Sequence, residues 1–414
     1  MKAFFKVCSY AVCAFATVVV VAAASGPASA RQIPQRGQES RATQATLGRL
    51  LPPQAAARLL PGIPRLATRG YAAHLPPSAP AVFGSDFGAN VVQKFDQGSG
   101  ALIATLVDGT NTCGFPPFVQ PAGMWVAPLG RLWVANYGSS DVRMFLPGHT
   151  TSSLALRDVD DATRAVYRPL SVAVDKYFAG SSNYVYVGNY GTTTGGPGNI
   201  EVYPLGSQHC SSQGTAKYSL GDPQFNHVYF VATDHPGNLY VDYVDFSNVA
   251  HVCFITRANA LSQFFSTNIC SAPGAPAGDF VSTISLGFPG GMQAFRPLKN
   301  TLGVVDQAGS GPSLLGIDVY HSLPLPPAGT AALCTTVNPP SGFADPVQFA
   351  ITDANGLGMW ASDTVLVPGG ALIRIQNASS TSGCPSVLGP GTQTMVISGF
   401  TNLFGAAVSP PFAP

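Results

Sequence analysis

Six aspartate or asparagine residues return along the chain at Asp86, Asn136, Asn189, Asp242, Asp306 and Asp363, at spacings of 50, 53, 53, 64 and 57. Each ends a run of one type: Val82-Phe-Gly-Ser-Asp-Phe-Gly88, Leu132-Trp-Val-Ala-Asn-Tyr-Gly138, Val185-Tyr-Val-Gly-Asn-Tyr-Gly191, Leu239-Tyr-Val-Asp-Tyr243, Leu302-Gly-Val-Val-Asp306 and Met359-Trp-Ala-Ser-Asp363. Facing one end of a common channel, four carboxylates and two carboxamides would form a ring suited to Ca²⁺ or a polyol. The other reading is that each side chain caps its own turn, since Asp and Asn bond backbone groups two residues on. A turn is needed in every repeat and an active site once, which favours the caps.

His227, Asp234 and His235 form a second candidate cluster. A histidine beside an aspartate can act as a general base with its orienter, and a set of turn and surface residues is the competing reading. The chain has no Gly-x-Ser-x-Gly elbow, no phosphate-cradling loop and no His-Glu-x-x-His pattern. The glycine-rich stretch 191–198 reads as a long hairpin loop.

The elements that would carry these residues are strands. Before each run lies a small-residue strand, as in Ser171-Val-Ala-Val-Asp175, Phe230-Val-Ala-Thr-Asp234 and Ala350-Ile-Thr-Asp353. After it comes an alternating strand, as in Val142-Arg-Met-Phe145, Ile200-Glu-Val-Tyr203 and Leu372-Ile-Arg-Ile375. β-Branched and aromatic residues at period two between Gly, Asn, Asp and Pro turns mark short antiparallel strands. A repeat of this length predicts an all-β, six-bladed propeller with four-stranded blades. The first run lacks a preceding inner strand, whereas Leu403-Phe-Gly-Ala-Ala-Val-Ser409 is an inner strand with no run behind it. Joined, the two complete one blade and protect the edges that an open array would expose.

Residues 1–30 read as a secretory signal peptide: Lys2 and Lys6 precede an apolar core from Ala11 to Ala24, with cleavage expected after Ala30. The apolar run is short for a membrane span, so a secreted or periplasmic protein without a transmembrane segment is expected. Residues 31–79 hold seven Arg and one acidic residue, Glu39, and so are about +6. They read as a disordered tether able to make weak contact with an anionic surface. Residues 80–414 form the propeller and carry 12 Lys and Arg against 19 Asp and Glu, a net of −7. That balance argues against nucleic acid as a partner.

Six cysteines follow the leader: Cys113, Cys210, Cys253, Cys270, Cys334 and Cys384. An even number in an exported chain predicts disulfides, with fifteen pairings open. Cys253 and Cys270 are the first pair expected, on the last two strands of one blade. No Cys-x-x-Cys occurs, which argues against structural zinc.

The pattern of aliphatic-Ala-x-Asp, then a Leu-Tyr-Val-Ala-Asn-Tyr-Gly type run, then an alternating strand ending in Phe or Tyr resembles the NHL-type propeller repeat. His235-Pro-Gly-Asn-Leu-Tyr-Val-Asp242 and residues 132–145 carry it most clearly. The resemblance spans roughly residues 80–414 and implies a superfamily that includes metal-dependent gluconolactonases and streptogramin lyases. Those enzymes are expected to use a Glu with Asn and Asp, or a Glu with His, around a metal. Here the propeller has a single glutamate, Glu201, on an alternating third strand, so neither constellation carries over residue by residue. The expectation is a non-catalytic binding or scaffold propeller, monomeric, with a protein or small-molecule ligand and no certain cofactor. The alternative is a Ca²⁺-dependent lactonase-like hydrolase, or a lyase, with its site in the channel.

Overall fold

The computed structural model describes residues from Pro80 to Ser409, apart from connecting stretches such as 157–165, 206–215, 322–331 and 377–391. The expected signal peptide and tether, residues 1–79, lie outside the described residues, as do 410–414.

Blade 1 opens with β1 (Ala81–Asp86), β2 (Val91–Asp96) and β3 (Leu102–Leu106). Blade 2 is β4 (Pro121–Ala127), β5 (Arg131–Asn136), β6 (Asp141–Phe145) and β7 (Leu154–Leu156). Blade 3 is β8 (Pro169–Val174), β9 (Tyr184–Asn189), β10 (Asn199–Pro204) and β11 (Tyr218–Leu220). Blade 4 is β12 (His227–Thr233), β13 (Leu239–Val244) and β14 (Ala250–Ile255), then a single turn of helix, α1 (Arg257–Ala260), β15 (Phe265–Ser266) and β16 (Phe280–Val281). Blade 5 is β17 (Pro289–Ala294), β18 (Thr301–Asp306), β19 (Gly316–His321) and β20 (Ala332–Val337). Blade 6 is β21 (Pro346–Ile351), β22 (Gly358–Asp363), β23 (Ala371–Gln376) and β24 (Thr392–Ile397), and β25 (Leu403–Ser409) follows it.

Each blade is an antiparallel sheet, and β25 is the inner strand of blade 1, paired with β1 from Ala81↔Ser409 to Asp86↔Leu403. The closure expected from the two chain segments is therefore present. β15 leaves blade 4 and adds a parallel fifth strand to blade 3 beside β11.

Burial falls from the axis to the rim. Inner and second strands such as β4, β5, β8 and β9 are buried along nearly their whole length, because blades stack face to face and cover both sides. Outer strands β3 and β24 alternate or lie exposed. The core is thus a ring of layers between blades, with Trp133, Trp360, Tyr186 and Tyr203 fully enclosed. Where neighbouring inner strands come closest, only glycine fits. A Cβ on Gly123 would lie 2.4 Å from the Leu170 carbonyl oxygen of the next blade, and one on Gly405 would lie 2.6 Å from that of Ala122. Prolines open four inner strands, at Pro121, Pro169, Pro289 and Pro346, where a missing N–H costs no ladder bond.

Cys253 on β14 is bonded to Cys270, the pair expected. Cys270 does not sit on the blade's last strand, however. The place beside Cys253 belongs to Val281 of β16, and Cys270 lies on the connection leading there. Cys334 on β20 is also in a disulfide, while Cys113, Cys210 and Cys384 lie outside the described residues. Among the described residues no helix is long and apolar enough to cross a membrane.

Candidate ligand-binding mouth

In five blades the repeated Asp or Asn ends the second strand beneath the loop that enters the inner strand, and its oxygens accept bonds from that loop. Asp86 accepts from the Thr401 N–H at 2.7 Å and from those of Asn402 and Ala89 at 2.9 Å. Asn136 accepts from Val119 at 2.9 Å and Asn189 from Tyr167 at 3.1 Å. Asp306 accepts from Gly287 at 3.1 Å and Ala308 at 3.0 Å. Asp363 accepts from Ala344 at 2.7 Å, Val365 at 2.9 Å and Leu366 at 2.8 Å. These buried side chains clamp loop to turn and satisfy N–H groups that have no ladder partner. Oxygens engaged in this way, one blade at a time, do not fit a shared Ca²⁺ cage. Among the described residues no three His, Cys, Asp or Glu side chains come together as a metal-binding group.

Asp242 stands apart from the other five. In blades 2, 3, 5 and 6 the clamp pairs with the proline opening the inner strand, and the register shifts just after it. β12 opens with His227 instead, and its shift follows Val228, which pairs with Tyr243. Asp242 therefore pairs with Phe230, one residue further in, and a one-residue slip turns a side chain to the opposite face. It accepts the Phe230 N–H with one oxygen, while the other has no partner. Full burial pushes its carboxyl well above the usual range.

A second backbone repeat builds the mouth. Phe87, Tyr137, Tyr190, Gln307 and Thr364, each directly after its clamp, donate their N–H groups to the carbonyls of Asn402, Gln120, Arg168, Phe288 and Asp345 at 2.8 to 3.2 Å. Five blades thus present two side chains each at equivalent positions, and blade 4 supplies His227 and Tyr229 from β12. The rings touch in sequence around the mouth. Phe87 lies 5.8 Å from Tyr137, Tyr137 6.2 Å from Tyr190, Tyr190 5.6 Å from Tyr229 and Tyr229 5.1 Å from Phe288, between centroids. His227 stacks on Tyr190 at 3.9 Å and 4°. These rings are all partly exposed. Blade 6 breaks the arc, with Asp345 and Thr364 in place of aromatics.

Below the mouth the axis is filled. Phe404 stacks on Phe87 at 5.8 Å and on Phe230, from the opposite blade, at 6.1 Å. Gln348 on β21 donates to the Met124 carbonyl at 2.8 Å and accepts from the N–H groups of Met124 and Ala406 at 3.2 Å. The mouth therefore has a floor, and a ligand there would rest on Phe404.

Charges are few at this end. The Arg168 guanidinium lies 5.9 Å from the Tyr137 ring and 5.2 Å from Tyr167, and Arg168 adopts φ +47°, uncommon for a residue with a side chain. Burial raises the Tyr137 hydroxyl pKa, opposed by Arg168. Burial lowers His227 below the ordinary imidazole value, so its neutral ring donates Nδ1–H to the Tyr190 carbonyl at 2.9 Å. Asp345 accepts the Thr364 hydroxyl on Oδ2, and Oδ1 has no partner. Burial, with the neighbouring Asp363 charge adding and the Thr364 bond opposing, pushes it up to about 6. On loops at the same end, Phe246 is 63%, Val365 49% and Val119 39% exposed.

The expected His/Asp cluster does not assemble. His227 opens β12 at the mouth, and Asp234 follows its other end, seven residues of strand away, where it bonds Asn238 at 2.8 and 2.9 Å. His235 lies outside the described residues. Glu201 is buried in β10, accepting from Asn199 at 2.6 Å and Ser219 at 2.8 Å, away from the inner strands. The mouth itself was partly visible in the sequence, as the aromatic after the clamp in three runs. Tyr229, Phe288, Phe404 and Asp345 carry no such signal, because each comes from an inner strand or its entry loop.

No protein-family model matches the chain, and no curated protein does. Among solved structures it is similar to the nidogen/laminin complex, at 11% identity and a TM-score of 0.51, covering 81% of this chain and 100% of that one. It is also similar to Kuenenia stuttgartiensis hydrazine synthase, at 13% identity, TM-score 0.46, with 74% and 79% covered. A functionally unknown protein from Desulfotomaculum acetoxidans DSM 771 is similar at 8% identity, TM-score 0.46, with 78% and 83% covered. At such identities the likeness concerns the fold alone: this chain is a six-bladed β-propeller of four-stranded antiparallel blades.

Proposed function

We propose that the protein is an exported, non-catalytic binding propeller that captures a partner on the aromatic mouth and the loops around it. The observation that carries this is the arc of partly exposed rings on five blades, above a closed axis and ringed by Phe246, Val119 and Val365. Aromatic side chains with few charges are what the core of a recognition surface requires, and exposed apolar groups gathered on one face mark such a surface. Nidogen, similar in fold, was solved with laminin, which is in keeping with a recognition role. The apolar leader and the oxidised cysteines support export.

Screening the full-length protein against peptide and glycan arrays tests the reading, with each ligand found re-measured on Tyr137→Ala, Tyr190→Ala and, at the other end of the blades, Arg131→Ala. Loss of about tenfold or more for the mouth variants and none for Arg131→Ala is expected. Ligands that bind all these variants equally would place recognition elsewhere.

A further inference from the structure

We propose that the mouth end seats on a zwitterionic lipid surface, with Phe246, Val249, Val365, Val119 and Val107 entering its outer layer. The proposal rests on the mouth being the recognition face and goes further by naming the partner.

The most exposed apolar side chains at this end stand on loops around the arc, not in it. Phe246 and Val249 lie in the turn between β13 and β14 of blade 4, and Val365 lies in the turn between β22 and β23 of blade 6. Val119 leads into β4 of blade 2, and Val107 lies beside it, its carbonyl accepting the Phe118 N–H at 3.1 Å. Val107 and Val249 are each 49% exposed. The inner strands touch in the order β25, β4, β8, β12, β17, β21 and back to β25, so blades 2, 4 and 6 are every second blade of a closed ring. Three apolar points spaced around a ring define a plane, and a flat partner meets all three together.

The distribution of polarity favours lipid over protein. Protein interfaces have an apolar core and a polar rim. Here the order is reversed, with the more exposed apolar groups at the rim and the partly exposed rings inside. Tyr137, Tyr190 and Tyr229 have an apolar body and a polar tip, the character of residues that settle at headgroup depth. Among the described residues, Arg168 and Asp245 are the unburied side chains of fixed charge at this end, one of each sign. A face without a basic cluster, on a propeller that is net acidic by seven, suits neutral rather than anionic lipid.

The loops are also prepared to leave water. Asp245 accepts the N–H groups of Ser247 at 2.8 Å and Val249 at 2.9 Å, and its own N–H goes to the Val249 carbonyl at 2.9 Å. Asp363 accepts the Val365 N–H at 2.9 Å. Val119 donates to Asn136 at 2.9 Å and accepts from the Gly138 N–H at 2.9 Å. Backbone that keeps such partners can enter an apolar phase without stranding a polar group.

The test measures partition of the chain from Arg31 onward, the form expected after leader removal, into vesicles of phosphatidylcholine alone and with added anionic phosphatidylglycerol. Binding to the neutral vesicles should survive about 0.5 M salt, which screens the basic residues of 31–79. Phe246→Ser should lower partition about tenfold or more and Val365→Ser about threefold or more. Leu102→Ser, 55% exposed at the far end of blade 1, should leave it unchanged. No binding to neutral vesicles, or a loss in Leu102→Ser equal to that of the rim variants, would overturn the proposal and leave the mouth open to a soluble ligand. Binding that needs anionic lipid and disappears in salt would overturn it in favour of the basic segment. Neutral-vesicle binding untouched by the rim variants and by Tyr137→Ala and Tyr190→Ala would remove the mouth as the recognition face as well.

Discussion

Asp345→Asn should stabilise the propeller at neutral pH, by an amount that fades as the solution is acidified. The carboxyl sits at about 6 in the folded protein against an ordinary 3.8, which corresponds to about 3 kcal/mol of unfavourable charge. The sign follows from proton binding. Between those two values the folded state holds a proton that the unfolded state has lost, so the penalty is complete above about 6 and absent below 3.8. Asn carries no charge and can still bond Thr364, so the gain at pH 7.5 should approach about 2 to 3 kcal/mol, several degrees in Tm for a domain of this size. Asp242, Asp175, Asp234 and Asp279 are raised as well by burial, so wild type and variant share a background that strengthens on acidification. The difference between the two proteins isolates Asp345. Urea midpoints of both at pH 7.5, 6, 5 and 4 measure it, and a gap that stays constant across this range refutes the reasoning.

The remaining predictions concern the frame around the mouth. Arg143, fully buried on β6, is held at 3.0 Å by Asp141, at 2.7 Å by Asp108 and at 2.7 Å by the Pro116 carbonyl. Arg143→Leu strands both carboxylates and should cost about 3 to 5 kcal/mol in chemical denaturation; a loss below about 1 kcal/mol would contradict the triad. Asp363→Ala leaves four N–H groups, those of Ala344, Asp345, Val365 and Leu366, without their acceptor and should cost about 2 kcal/mol or more, while Asp242→Asn, outside the clamp set, should cost under about 1 kcal/mol. Equal effects in thermal melts would restore Asp242 to the ring. Removing residues 400–414 deletes β25 and opens blade 1, so the truncated chain should lose its cooperative transition by circular dichroism; a melt like that of the full-length chain would disprove the closure. Cys253→Ser opens a bridge across a separation of 17 residues and should cost about 3 kcal/mol, read as the shift in midpoint that reductant no longer produces.

The blades were legible because their signals are local. Alternation in Val142-Arg-Met-Phe145, the Asx at each strand end and the turn residues behind it are decided within a few positions of the chain. The strand from Leu403 to Ser409 was found the same way, its missing partner implied by repetition. Asp242 was misplaced for the same reason. Its run looks like the others, and only the pairing of β12 shows that Tyr243, opposite Val228 just before the register shift, takes the clamp's place and leaves Asp242 one residue further in, on the other face. The His227 and Asp234 pair failed likewise, since seven residues of extended chain separate two side chains that look near in sequence.

By itself, the amino-acid sequence determined the class, the number of blades and the closure, all consequences of periodicity and composition; it offered Cys253–Cys270 as the first of fifteen open pairings, and the structure chose it. Tertiary structure decided which end of the blades is aromatic, that Phe404, Phe230 and Gln348 fill the axis, and that Asp345 interrupts the arc. Those features join residues hundreds of positions apart, from six inner strands whose order around the axis no local pattern encodes. Convergence on one point depends on the closed ring, in which the last strand is hydrogen-bonded to the first.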